Sequence, residues 1–149
     1  MKYKIGIIGL GYVGLPLAVE FSKYYDVVGF DINENRINDL KKCIDKTDEC
    51  SVHVLKDATI NYTNIESELL DCNIFIVTVP TPIGRYNEPD LTFLRLASEL
   101  VGRNLRKNDL VIYESTVYPG CTEEDCVPIL EKNSSLVFNQ DFFCGYSPE

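Results

Sequence analysis

The residues with the sharpest chemical content are Gly9-Leu10-Gly11-Tyr12-Val13-Gly14. Their Gly-x-Gly-x-x-Gly spacing follows a buried-strand pattern, Lys4 to Gly9, and opens a helix. In that setting Gly9 permits a tight turn, Gly11 lets the backbone approach a pyrophosphate, and Gly14 lets helix and strand pack closely. The pyrophosphate would rest on the free amides and positive end of the helix, with Tyr12 and Val13 completing the turn. Asp31 lies 17 residues beyond Gly14, at the end of the next strand, where a carboxylate can bind adenosine ribose hydroxyls. Its charge would repel a 2′-phosphate, so NAD is expected rather than NADP. Arg36 pulls the other way, because a nearby arginine can accept that phosphate.

Three further loops follow strand ends, where ligands bind in open α/β sheets. Val79-Pro80-Thr81-Pro82 stiffens a turn and presents the Thr81 hydroxyl; Glu114 to Gly120 presents Ser115 and Thr116; Gly145 to Glu149 closes the chain. On residue types alone, each could equally be a loop and nothing more.

These loops must be held by short apolar strands alternating with amphipathic helices. Strands are expected at 4–9, 26–31, 58–62, 73–79 and 109–114, with short ones at 136–138 and 142–146. Helices are expected at 12–24 (with Val13, Leu17, Ala18 and Phe21 on one face), 34–42, 65–70, 90–105 and 122–132. The stretch 43–56 has no period and reads as a loop or short helix, and three prolines and a glycine make 80–89 a loop. The fold expected is α/β, Rossmann-type and doubly wound: a mainly parallel sheet of about six strands with helices on both faces, in one domain over 1–149.

Apolar residues make up 45% of the chain and charged ones 25%, a balance suited to one buried core. The formal net charge of -9 disfavours nucleic acid as a partner. No apolar run is long enough to span a bilayer and no signal peptide is visible, so a cytoplasmic location without membrane association is expected. Cysteines 43, 50, 72, 121, 126 and 144 show no Cys-x-x-Cys spacing, and His53 has no evident ligand partner. No metal site is expected, and the cysteines read as reduced packing residues. Cys121 and Cys126, five apart, are not expected to share a helix face.

Taken together, Gly-Leu-Gly-Tyr-Val-Gly-Leu-Pro-Leu-Ala (9–18), Pro-Thr-Pro (80–82), Ser-Thr-Val-Tyr-Pro-Gly (115–120) and Ser-Pro-Glu (147–149) resemble the UDP-glucose/GDP-mannose dehydrogenase family over essentially the whole chain. The wording around Ser115 and Ser147 is most similar to the branch acting on UDP-N-acetylhexosamines, including the UDP-N-acetylglucosamine 6-dehydrogenases of Vi-type capsule and O-antigen synthesis. The resemblance implies a two-step oxidation of the sugar C6 alcohol to a carboxylate, with two NAD reduced. A cysteine of a later domain would attack the C6 aldehyde, giving a thiohemiacetal that is oxidised to a thioester and hydrolysed. Val13, Asp31, Arg36, Thr81 and Thr116 match cofactor-contacting positions, beside Gly9, Gly11, Tyr12, Gly14, Pro80 and Ser115. As catalytic residues it implies Thr116, near the nicotinamide, and Glu149, in thioester hydrolysis.

The family's lysine, asparagine, nucleophilic cysteine and aspartate would lie beyond residue 149. The chain is therefore expected to be the amino-terminal part of a longer enzyme, inactive alone, with homo-oligomers forming through the missing domains. The alternatives are a UDP-glucose 6-dehydrogenase, another NAD-dependent dehydrogenase such as a 3-hydroxyacid type, and a dinucleotide-sensing module without chemistry.

Overall fold

The computed structural model describes residues 2–115 and 120–147. Among them, strands β1 (Lys4–Ile8), β2 (Asp26–Phe30), β3 (Ile60–Thr63), β4 (Ile74–Val77), β5 (Leu110–Tyr113) and β6 (Phe143–Tyr146) form one sheet in the order β3-β2-β1-β4-β5-β6. Every neighbouring pair is parallel. Helices α1 (Gly14–Ser22), α2 (Glu34–Lys41), α3 (Val52–Asp57), α4 (Thr92–Asn104) and α5 (Val127–Ser134) make the crossovers. The doubly wound Rossmann-type architecture expected from the sequence is the one observed.

Strands covered on both faces read as unbroken apolar runs, and the two-residue period of a strand sorts their side chains into two cores. Ile5, Ile7, Val27 and Ile76 pack with Leu15, Ala18 and Val19 of α1, Ile37 and Leu40 of α2 and Leu55 of α3. Ile8, Val28, Phe75, Val77, Val111 and Tyr113 pack with Leu94, Ala97 and Val101 of α4 and Leu130 of α5. Burying one large apolar side chain contributes roughly 1.5–3 kcal/mol. That packing, rather than intrinsic propensity, stabilises helices as short as the 6 residues of α3 and no longer than the 13 of α4.

Several local expectations change. The face of α1 is centred on Leu15, Ala18 and Val19, with Leu17 and Phe21 only partly buried at its margin. Helix α4 opens at Thr92 rather than Asp90, because the Asp90 carboxylate accepts the Thr92 amide at 2.9 Å and its hydroxyl at 2.6 Å, ahead of the first turn. No strand forms at 136–138. Asn139 adopts φ 64°, the Val137 amide donates to Asp141 Oδ2, and the resulting turn leaves a single bridge between Phe138 and Phe142.

The expectation for Cys121 and Cys126 is overturned. Thr122–Cys126 is a π-helix running into α5, and its wider turn brings positions five apart onto one face. Both cysteines are buried in the core beneath α4.

Candidate functional site

The chain winds outward from β1 through β2 to β3, then returns to the other side of β1 with β4 and continues to β6. The carboxyl ends of β1 and β4 therefore flank a switch point, the place where doubly wound sheets bind ligands. A cavity of about 990 Å³ opens there. Gly9, Gly11, Tyr12, Val13, Asp31, Arg36, Pro80, Thr81 and Ser115 all line it, so the predicted loops do converge. Gly14 stands behind the lining. The two catalytic candidates, Thr116 and Glu149, lie outside the described residues.

The Gly-rich turn is shaped by close approaches. Gly9 has φ 99°, a conformation that side chains resist, and its amide donates to the Phe30 carbonyl at 2.8 Å. A Cβ at Gly14 would collide with the Gly9 carbonyl and stand 2.5 Å from Thr78 Oγ1. Thr78 itself donates to that Gly9 carbonyl at 2.6 Å, bracing the turn from β4, a contact that no motif announced. At Gly11 the situation is opposite. A Cβ there would meet no described atom within 4 Å, and the residue lines the cavity. No side chain caps the amino end of α1 and its first turn carries no acid. The Leu15 amide donates to the Gly11 carbonyl at 3.2 Å and Pro16 has no amide hydrogen, so it is the positive dipole end of the helix that faces an anion in the room beside Gly11.

Asp31 and Arg36 hold the two peptide groups that flank Leu10. Asp31 Oδ2 accepts the Leu10 amide at 2.9 Å, and Arg36 Nε donates to the Leu10 carbonyl at 2.8 Å. The second Asp31 oxygen accepts the Asn33 amide at 2.9 Å. A carboxylate has about four acceptor sites, so two of them stay available to ribose hydroxyls.

The rest of the Arg36 guanidinium is engaged by residues that sequence reasoning missed. Nη1 donates to Asp45 Oδ1 at 2.8 Å and Nη2 to Thr47 Oγ1 at 3.3 Å. The Asp45 side chain is 0% exposed, yet it also accepts the amides of Thr47, Glu49 and Cys50 and the Thr47 hydroxyl, all within 2.9 Å. Burial would push its carboxyl up; the hydrogen bonds from Thr47, Cys50 and Arg36 outweigh that and hold it well below the ordinary carboxylate range. The only sequence signal was Asp45-Lys46-Thr47, an aspartate able to bond its own backbone two residues on, in a stretch without period.

The remaining wall belongs to α4 and to the segment after β3. Phe93 and Leu96, 40% and 52% exposed, present flat apolar surface to the cavity. Glu66 and Arg103 pair at its rim through contacts of 2.9 and 3.1 Å. Hydrogen bonding to Arg103 draws the Glu66 carboxyl down. Across the cavity, Ser115 Oγ donates to the Val79 carbonyl at 2.8 Å and ties the loops after β4 and β5 together.

This geometry is matched by known proteins. The profile described as UDP-glucose/GDP-mannose dehydrogenase family, NAD binding domain, matches residues 3–149. The UDP-N-acetyl-D-glucosamine 6-dehydrogenase of Pseudomonas aeruginosa is 60% identical over 147 residues, which are 98% of this chain and 35% of that protein. The enzyme of the same name from Salmonella typhi is 57% identical over 149 residues, 99% of this chain and 35% of its own length. The crystal structure of a ternary complex of GDP-mannose dehydrogenase from Pseudomonas aeruginosa superposes with a TM-score of 0.91 at 26% identity, covering 97% of this chain and 36% of that one. The chain thus spans about a third of the length of the relatives it matches.

Proposed function

The chain belongs to the UDP-glucose/GDP-mannose dehydrogenase family, and on that premise we propose that it is the NAD-binding part of an enzyme oxidising the C6 hydroxyl of a UDP-N-acetylhexosamine to a carboxylate, with two NAD reduced per sugar, for capsule or surface polysaccharide synthesis. The observation that carries the cofactor site is the uncapped amino end of α1 opening, together with Asp31, into one cavity at the switch point. The 60% and 57% identities to the two UDP-N-acetyl-D-glucosamine 6-dehydrogenases support the sugar class.

The residues divide the work as follows. Gly9, Gly11, Tyr12, Val13 and the positive end of α1 hold the pyrophosphate. Asp31 takes the adenosine ribose, Leu96 and Phe93 cover the adenine, and Pro80, Thr81 and Ser115 border the nicotinamide end. NAD, when bound, supplies the hydride acceptor. Because donors and carboxylate are already held by the backbone, little reordering opposes binding. Thr116 is assigned to the nicotinamide side and Glu149 to orienting or deprotonating the water that hydrolyses the thioester. The covalent half, with its cysteine nucleophile, is assigned to sequence beyond residue 149, as is homo-oligomer assembly. The full enzyme is placed in the cytoplasm; among the described residues no helix is long and apolar enough to cross a membrane.

The test is a paired assay with UDP-N-acetylglucosamine. These 149 residues alone should bind NAD yet form no NADH, whereas a protein extended to the length of the relatives should form two NADH per sugar. Turnover by the short form, or release of the aldehyde after one NADH, would contradict this division of labour.

A further inference from the structure

We propose that Asp45 is a specificity-determining positioning residue, which disfavours NADP by neutralising the arginine that its 2′-phosphate would recruit. The inference rests on the NAD reading above and concerns why the same site rejects the phosphorylated cofactor.

Arg36 sits where a phosphate-accepting arginine is expected, since it and Asp31 hold the two peptides flanking Leu10 at the ribose end of the cavity. An arginine so placed would ordinarily welcome a 2′-phosphate. Here its side chain is only 10% exposed and its charge is met at 2.8 Å by a carboxylate that is 0% exposed. Around the ribose there are consequently two carboxylates, Asp31 and Asp45, to one guanidinium, and the local balance is negative. A dianionic phosphate entering that site is opposed, in surroundings where bulk salt screens poorly.

Asp45 is also fixed independently of Arg36, by the amides of Thr47, Glu49 and Cys50 and the Thr47 hydroxyl. Its charge is therefore anchored rather than free to swing away when an anion arrives. Thr47, which bonds both Asp45 and Arg36, lines the cavity and carries this arrangement to its wall. Removing the carboxylate charge would leave a nearly buried guanidinium short of a partner and ready to take phosphate.

The experiment titrates NAD and NADP into the parent protein, Asp45→Asn and the double variant Asp45→Asn/Arg36→Gln, with a thermal melt of each. For Asp45→Asn the ratio of NADP to NAD affinity should rise by about tenfold, as a guanidinium freed of its carboxylate takes the phosphate. For the double variant Asp45→Asn/Arg36→Gln that ratio should return to within about twofold of the parent, because the guanidinium that would take the phosphate is gone. Equal weakening of both cofactors by Asp45→Asn would reduce Asp45 to a structural role and overturn the proposal. Should Asp45→Asn not fold, Asp45→Ser, which keeps an acceptor for the loop amides without the charge, takes its place: a rise in the NADP to NAD ratio supports the proposal, and an unchanged ratio overturns it. If the parent binds NADP as tightly as NAD, there is no preference to explain and the proposal falls. If it binds neither, the cofactor reading falls first and takes this inference with it.

Discussion

The turn between β1 and α1 and the loop between α2 and α3 are both cradles of hydrogen-bond donors, yet they end in opposite states. In the first, the amino end of α1 has no capping side chain, and the room beside Gly11 is open. In the second, backbone amides of Thr47, Glu49 and Cys50 converge with Arg36 on a carboxylate that the chain itself supplies. One loop keeps the positive end of its helix open to an anion from outside; the other has filled the cradle with Asp45. The closed cradle makes the open one dependable, because Arg36 carries its rigidity to the Leu10 carbonyl within the Gly-rich turn. Asn33 caps α2 and Ser51 caps α3, while α4 and α5, like α1, carry no side-chain cap. What sets the α1 end apart is the open room beside Gly11.

That contrast can be broken most forcefully at Gly14. Gly14→Ala drives a methyl into the Gly9 carbonyl, so stability should fall by about 3 kcal/mol and NAD binding should be lost, as a urea melt and a titration would read. Asp45→Ala should lower stability by a similar ~3 kcal/mol, since it leaves Arg36 buried without its partner. The pH dependence has a definite sign. A carboxyl held low in the folded state contributes stability that is present above its unfolded value near ~4 and lost on further acidification, and Asp45→Ala should flatten that acid limb.

Asp109 sharpens the comparison, being a 4%-exposed carboxylate with one backbone donor, the Arg106 amide at 2.8 Å, where Asp45 has several. Burial pushes its carboxyl up to about 6. The folded state then retains a proton that the unfolded chain has released, so stability should fall as pH rises from about 4 to 6 and level off above. Asp109→Asn should remove that slope and gain ~1–2 kcal/mol over the parent at pH 7 relative to pH 4, read by urea melts at both values. The smallest effect belongs to the brace on the open cradle. Thr78→Val deletes the bond to the Gly9 carbonyl and should weaken NAD binding by ~1 kcal/mol while Thr78→Ser retains it.

The open cradle was legible in the sequence and the closed one was not, for a physical reason. A ligand-binding turn needs special backbone, so glycines at 9, 11 and 14 and an acid at 31 leave a pattern that spacing alone reveals. A loop folded around its own aspartate needs only ordinary polar residues, and Asp45, Thr47 and Arg36 meet through tertiary contacts that no period encodes. Strand and helix order were readable because both cores demand apolar residues at fixed intervals. The π-helix at Thr122–Cys126 was hidden, since a reading at 3.6 residues per turn assigns Cys121 and Cys126 to different faces. The α4 wall of the cavity was likewise invisible: Phe93 and Leu96 look like ordinary helix positions until β4 and the switch point place them over the site.

The most direct test of the account is a calorimetric titration of the protein with NAD and, separately, NADP. Saturable NAD binding with NADP at least tenfold weaker, a gap of ~1.4 kcal/mol, is the predicted result. Absence of NAD binding, or equal affinity for the two, would contradict the assignment of the uncapped α1 end and Asp31 as the cofactor site.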